Sequence, residues 1–415
     1  MAEKKFYQMS LEERLSSLAS KSGIAKNEIS TVVNQPLSFE KIDKMVENAI
    51  GSFSLPFGIA TNFVINGKEY LVPMAIEEPS VIASASHAAK LARSKGGFKA
   101  SAKSSMMRGQ IQIINLSDIK KATQVISKNK ESLLKLANSV SKNVKAVDLK
   151  TRVVDNEIDG TKMLAAEIYV DCKDSMGANT INTMCELLGP QIEQKTSGKV
   201  ILKILSNYAT ERIAISKATF KKEELGGDDI VDRILSAFAF AFSDTHRAVT
   251  HNKGIMNGID AVSIATGQDF RAIEAASHAY ASRDGKYRSL TTFTKSPNGD
   301  LVGKIEIPLS VGIVGGVSTV HPMAKMGLKL LGVKSASELA CVIASAGLAQ
   351  NLAAIRALST EGIQKGHMKL HAKNIAVAAG ATGEIVDLVS EAMFRQSKIS
   401  LDNARRILLD LERKG

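Results

Sequence analysis

Apolar and polar positions along the chain change period several times, and each change marks an element. Ser10-Leu-Glu-Glu13 reads as a capping box that opens a helix. Up to about residue 105 the pattern is helix-rich, with one hairpin-type turn at Ile65-Asn-Gly-Lys68. Ser101-Ala-Lys-Ser-Ser105 reads as a linker, and Gln110-Ile-Gln-Ile113 then alternates as a strand does. A second strand is expected over 164–170, followed by a turn at Asp171-Cys-Lys-Asp174. A helix carrying Ile181, Met184, Leu187 and Leu188 on one face comes next, and then a strand over 200–205. Residues 106–209 therefore read as an inserted α+β domain. Helical patterns resume near 220, interrupted by a hairpin signal at Pro297-Asn-Gly299 between strands over 290–293 and 301–307. From Gly366 onward the pattern is helical, polar and basic.

Composition narrows the class. At 415 residues, 44% hydrophobic and 23% charged, the chain can bury more than one core, and disorder is excluded. The N-terminus carries no apolar signal core, and no apolar stretch is expected to be long enough to span a bilayer. The longest candidate, from Ile234 to Phe242, reads as a buried helix. Three cysteines without metal-ligand spacing indicate a reducing compartment, the cytoplasm, and no metal is expected. A net charge of +12 suits polyanionic partners, either nucleic acid or phosphate-bearing cofactors. The basic run from Arg108 to Arg152 lacks aromatic stacking positions and any helix-turn-helix signal, which argues against nucleic acid.

Six places along the chain are candidates for chemistry. In Glu77-Glu-Pro-Ser80, Pro79 suits the first turn of a helix, so Glu78 is either an acidic cap or a proton-exchanging carboxyl. Thr250-His-Asn-Lys-Gly-Ile-Met-Asn-Gly258 reads as a substrate-contact loop, in which Lys253 could stabilise an oxyanion. Asp269 is either a helix cap or a partner that holds Lys253 charged. Asp174-Ser-Met-Gly-Ala-Asn-Thr180 opens a helix. Asp174 reads as its N-cap, or Gly177 lets the backbone approach a dinucleotide. His367 is one of seven histidines and could protonate a leaving thiolate. Gly312-Ile-Val-Gly-Gly316 lacks the lysine of a P-loop, and no G-x-G-x-x-G fingerprint is present.

Taken in order, Glu47-Asn-Ala-Ile-Gly51, Glu77-Glu-Pro-Ser80, Asp174-Ser-Met-Gly-Ala-Asn179, His251-Asn-Lys-Gly-Ile-Met-Asn-Gly258, Gly312-Ile-Val-Gly-Gly316 and Gly366-His-Met368 resemble the 3-hydroxy-3-methylglutaryl-coenzyme A (HMG-CoA) reductase family, in its soluble bacterial class II. The resemblance implies an α+β fold. A large helix-rich substrate-binding domain (1–105 and 210–363) would carry an inserted small ferredoxin-like nucleotide-binding domain (106–209) and a C-terminal helical flap (364–415). It implies reduction of the thioester to mevalonate and free coenzyme A, or mevalonate oxidation in reverse.

Carried onto this chain, the resemblance makes Glu78, Lys253, Asp269 and His367 catalytic, with Asp269 tying Lys253 and Glu78 into one network. Ser80, Arg247 and Asn257 would bind substrate; Asp174, Met176, Gly177, Asn179 and Asn207 would contact the cofactor. Ser141 and Lys142 stand where an NAD-preferring member has an acidic residue, which points to NADPH, with NADH as the other candidate. A homodimer or dimer of dimers with shared active sites is implied, with residues 47–51 at an interface; neither nucleic acid nor membrane is an expected partner.

Overall fold

The structure, a computed structural model, describes residues 4–34, 37–360 and 363–412; the side chains of 363–370 and 412 lie outside that description. Three short helices, α1 (Leu11–Ser22), α2 (Lys26–Asn34) and α3 (Phe39–Met45), come first. The capping box of α1 is present, Glu13 N–H donating to Ser10 Oγ and Ser10 N–H to the Glu13 carboxylate. The first 105 residues are less helical than their pattern suggests. The turn Asn66-Gly67 joins β1 (Phe57–Ile65) to β2 (Lys68–Ala75), and α4 (Val81–Arg93) leads into a third strand, β3 (Phe98–Ala102). Ser101 and Ala102 thus belong to β3, and the linker shrinks to residues 103–105.

Residues from Met106 to Ser206 build a separate sheet. Its elements are β4 (Met106–Ile114), α5 (Ile119–Lys128), α6 (Lys130–Ala137), β5 (Lys145–Asp155), β6 (Lys162–Asp171), α7 (Ala178–Thr196) and β7 (Lys199–Ser206). The strand order is β5-β6-β4-β7, every neighbouring pair antiparallel, which is a ferredoxin-like topology. Ile181, Met184 and Leu188 of α7 are buried in its core as the helical period requires, but Leu187 faces out at 37% exposure. Cys185 and Ile192 occupy the stripe instead, because 185, 188 and 192 are spaced by three and four residues.

The chain then returns to the first sheet through β8 (Ile213–Phe220), α8 (Lys222–Leu225), α9 (Asp228–Ser243), α10 (Thr245–Ala265), α11 (Phe270–Ala281), β9 (Thr291–Lys295) and β10 (Leu301–Pro308). The completed order is β2-β1-β3-β8-β10-β9. After α12 (Val317–Val320) and α13 (Pro322–Leu331), helix α14 (Ala336–Ser359) runs through the largest core, packed on β3, β8, β10, α4, α9 and α10. The expectation that no apolar stretch could span a bilayer is corrected here: α14 is long and apolar enough by length and composition. Of its apolar stretch 83% is buried within the protein, the ordinary environment of a central core helix. Helix α9, by contrast, leaves Phe240 59% exposed, so the stretch expected to be buried is only partly so.

Helices α15 (Ile363–Ala378), α16 (Ile385–Arg395) and α17 (Leu401–Glu412) close the chain around their own small core of Ala372, Ala376, Val389, Met393, Ala404 and Ile407.

Candidate active site

The sequence between residues 250 and 258 is not a loop. It is the middle of α10, and its glycines serve packing rather than chain reversal. A Cβ at Gly258 would stand 2.8 Å from the Ala346 carbonyl oxygen of α14, and one at Gly347 of α14 would stand 2.8 Å from Ile259. The two helices approach closely because both lack side chains there. Ile255, Met256 and Ile259 face the core, which leaves Lys253 and Asn257, one turn apart, on another face.

That face meets Glu78. Lys253 Nζ donates to Glu78 Oε2 at 2.6 Å, and Asn257 Nδ2 donates to the same oxygen at 3.2 Å. Glu78 arrives from the segment between β2 and α4. Pro79 lies before the helix rather than in its first turn, and Ser80 is the N-cap. Ser80 holds a left-handed backbone (φ 73°) without a side-chain cap, a conformation a non-glycine residue adopts at a cost of about 1–3 kcal/mol. The kink turns the chain sharply between Glu78 and α4. The resulting cluster joins a carboxyl, an ammonium and an amide on a surface open to solvent.

Asp269 is the N-cap of α11: its Oδ1 accepts from Ala272 N–H at 3.0 Å and lies 3.7 Å from Arg271. It forms no ion pair with Lys253 among the described residues, so the cap reading describes this geometry and the three-residue network does not. Arg247 stands six residues before Lys253 on α10, its guanidinium half-buried and its pKa lowered by that burial. His251, one turn after Arg247, is buried; its Nε2 meets Thr291 Oγ1 at 2.8 Å, and burial, with Arg247 nearby, pushes its pKa down to about 3. His367 lies on α15, but its side chain is outside the described residues.

A cavity of about 1430 Å³ lies apart from that cluster: Asp269 lines it, but Glu78, Lys253 and Asn257 do not. Met176, Gly177 and Asn179 line it together with Gln268, Asp269 and the glycine loop 312–316. Gly177, not Asp174, caps α7, at φ 91°, and a Cβ there would stand 2.3 Å from Cys172 Sγ. Gly312 is equally constrained, since its Cβ would lie 2.7 Å from Met176 N. Two glycine motifs far apart in sequence thus touch backbone to backbone. Asp174 instead reaches the start of α14, whose N-cap is Ser335, accepting from Ala336 N–H at 2.8 Å, and its carbonyl accepts from Ile313 N–H at 2.9 Å.

Asn207 is exposed just past β7, and Ser141 and Lys142 lie in the loop between α6 and β5. None of the three is among the residues lining the cavity. Ser141 Oγ accepts from Asn143 and Val144 N–H at 3.3 and 3.2 Å, which folds the loop and leaves Lys142 exposed.

A family model for hydroxymethylglutaryl-coenzyme A reductase matches residues 10–372. The chain belongs to that family. It is an oxidoreductase of the HMG-CoA reductase kind. The enzyme is 51% identical to the 3-hydroxy-3-methylglutaryl-coenzyme A reductase of Archaeoglobus fulgidus over 97% of this chain and 93% of that one. A probable reductase of the same name from Borreliella burgdorferi is 36% identical, covering 88% of this chain and 86% of its own. Among solved structures, the Streptococcus pneumoniae reductase superposes with a TM-score of 0.83 at 39% identity, over 98% of this chain and 99% of that one. A class II structure from the same organism, bound to NADPH in open conformations, gives 0.81 at 39% identity, over 97% and 100%.

Two residues of the reductase escaped the sequence analysis. Arg212, buried, donates to the carbonyls of Ser175 at 3.0 Å and Val311 at 2.8 Å, binding the two glycine motifs together. Gln268 accepts from Gly312 N–H at 2.9 Å and fixes the glycine loop to the turn before α11. A lone arginine before the apolar run of β8 was the only available signal, and it does not name its partners.

Proposed function

We propose that the enzyme reduces the HMG-CoA thioester in two hydride steps, consuming two NADPH and two protons and releasing mevalonate, free coenzyme A and two NADP. The observation that carries this reading is the contact of Lys253 Nζ and Asn257 Nδ2 with one oxygen of Glu78. Bound nicotinamide supplies the hydride. The residues fit such a group: Met176, Gly177 and Asn179 line the cavity at the start of the 19-residue helix α7, whose N-terminus favours phosphate, and the close approach of Gly177 and Gly312 to their neighbours holds the two loops there. Met176, Asn179, Asp174 and Asn207 complete the cofactor contacts, and Ser141 with Lys142 receives a 2′-phosphate; NADH is the alternative cofactor.

In the first step the Lys253 ammonium stabilises the oxygen anion formed on the thioester carbon. Collapse of that adduct breaks the C–S bond, and His367 protonates the departing thiolate. In the second step the aldehyde oxygen becomes an alkoxide beside Lys253 and takes its proton from Glu78. Asp269, which caps α11 in this geometry, joins the pair only when substrate is bound, while Ser80, Arg247 and Asn257 hold the carboxylate and hydroxyl end of the substrate. The division into 1–105 with 210–363, 106–209 and 364–415 belongs to this proposal, as do a cytoplasmic location and shared sites in a homodimer or dimer of dimers.

Nicotinamide absorbance followed with HMG-CoA, while product thiol is counted, tests the reaction. Two cofactors oxidised per thiol are expected, with a preference for NADPH that disappears when Ser141 and Lys142 are replaced by Ala. A ratio of one, or no oxidation by folded protein, overturns the reading.

A further inference from the structure

A partly buried polar chain links α11 back to α10 at two points and is used by none of the steps above. Asp260, on the same helical stripe as Lys253 and Asn257, is hydrogen-bonded to Glu274 of α11. Glu274 Oε2 meets His278 Nε2 one turn later at 2.6 Å. The other imidazole nitrogen, Nδ1, meets Tyr287 Oη at 2.7 Å, and the two rings stack with centroids 6.0 Å apart. Tyr287 leads directly into the segment 288–290 that Asn252 of α10 holds. Asn252 Nδ2 donates to Arg288 carbonyl oxygen at 2.9 Å, and its Oδ1 accepts from Leu290 N–H at 3.0 Å. The chain leaves α10 beside Lys253 and rejoins it three residues after Asn257.

Charge bookkeeping decides the protonation pattern. An ionised Asp260 would set two carboxylates together and leave its buried Oδ1 without a donor. A protonated Asp260 is itself the donor, and Glu274 the acceptor. Burial, and then the Glu274 carboxylate, pushes the Asp260 pKa up; the hydrogen bond from His278 holds that of Glu274 down, and His278 is raised by the same bond. Glu274 is the charged group set against Asp260, and His278 is reached through it. The arrangement is a neutral acid, a carboxylate, an imidazolium and a phenol in series.

We propose that Asp260, Glu274, His278 and Tyr287 form a brace that fixes the Lys253–Asn257 face of α10 against α11, making Asp260 and Glu274 positioning residues for the reduction. The brace also sets the distance between that face and Asp269, because Asp269 caps the helix to which Glu274 belongs. It rests on the reading of Lys253 as a reacting group. Ionisation of Asp260 at alkaline pH would put a second negative charge against Glu274 and push the helices apart. Turnover should therefore have an alkaline limb that belongs to the Asp260–Glu274 pair.

The test uses full-length Asp260→Ala, Asp260→Asn and Lys253→Ala, with kcat, KM and thermal melting measured across pH. Asp260→Ala should lose at least about tenfold in kcat, the order expected when reacting groups are misplaced by a fraction of an ångström. Asp260→Asn, which donates to Glu274 and cannot ionise, should recover most of that loss and lack the alkaline limb. Wild-type kcat in Asp260→Ala, or an unchanged alkaline limb in Asp260→Asn, would overturn the brace. Turnover retained in Lys253→Ala would instead remove the reading beneath it, so the two failures are distinguishable. Should Asp260→Ala not fold, the pH profile of Asp260→Asn still decides.

Discussion

Single residues divide into those that a motif announces and those that only packing reveals. Glu78, Lys253 and Asn257 were legible through ordered motifs, and the fold brings them to one oxygen. Arg212 and Gln268 were not legible, because their partners are backbone atoms of segments about 40 to 100 residues away. His251 sits inside a motif yet has a structural environment, buried against Thr291. Its folded pKa of about 3 lies below the ordinary 6.5, so on acidification the unfolded chain takes up a proton that the folded chain refuses. Stability should therefore fall as pH drops from about 6.5 towards 3, and be independent of this group above that window. Acid unfolding followed by circular dichroism should be shallower in His251→Gln, and an identical acid curve would contradict the argument.

Elements were read well where the period was clean and poorly where glycine intervened. The alternation at 110–113 and the hairpin turns at 65–68 and 297–299 lead to β4, β1–β2 and β9–β10. The stretch 250–258 of α10 reads as a loop in sequence because Gly254 and Gly258 interrupt its stripe, although Gly258 exists to admit the backbone of α14. Local sequence cannot show that contact, since its other half is some 90 residues away. Gly258→Ala should destabilise the fold by about 1–3 kcal/mol through overpacking against a backbone carbonyl. Calorimetry should register this as a lower melting temperature, and turnover should drop with it because Lys253 and Asn257 ride on the same helix. An unchanged melting temperature would mean the two helices can separate freely.

At the scale of the molecule, two sheets with separate cores meet where Gly312 touches Met176. The change of pattern near 105 and its return near 210 made the insertion visible, but the meeting point is a tertiary contact that no periodicity encodes. Ile50 and Phe53, at 99% and 92% exposure, flank the end of the 47–51 motif, and apolar side chains this bare call for a covering surface. A second copy of the chain is the occupant our reading names. Light scattering should find a dimer or larger assembly that Ile50→Asp with Phe53→Asp weakens; a wild-type monomer at micromolar concentration would contradict it.

The central claim is that hydride chemistry happens at the Glu78, Lys253 and Asn257 cluster. Lys253→Ala tests it most directly, with NADPH-dependent turnover of HMG-CoA measured beside NADPH affinity and thermal melting. Because an open ion pair contributes about 1 kcal/mol or less to stability, melting should barely move. Loss of the oxyanion's cation should lower kcat by at least about a hundredfold, with cofactor affinity retained. Turnover within a few fold of wild type would place the chemistry elsewhere.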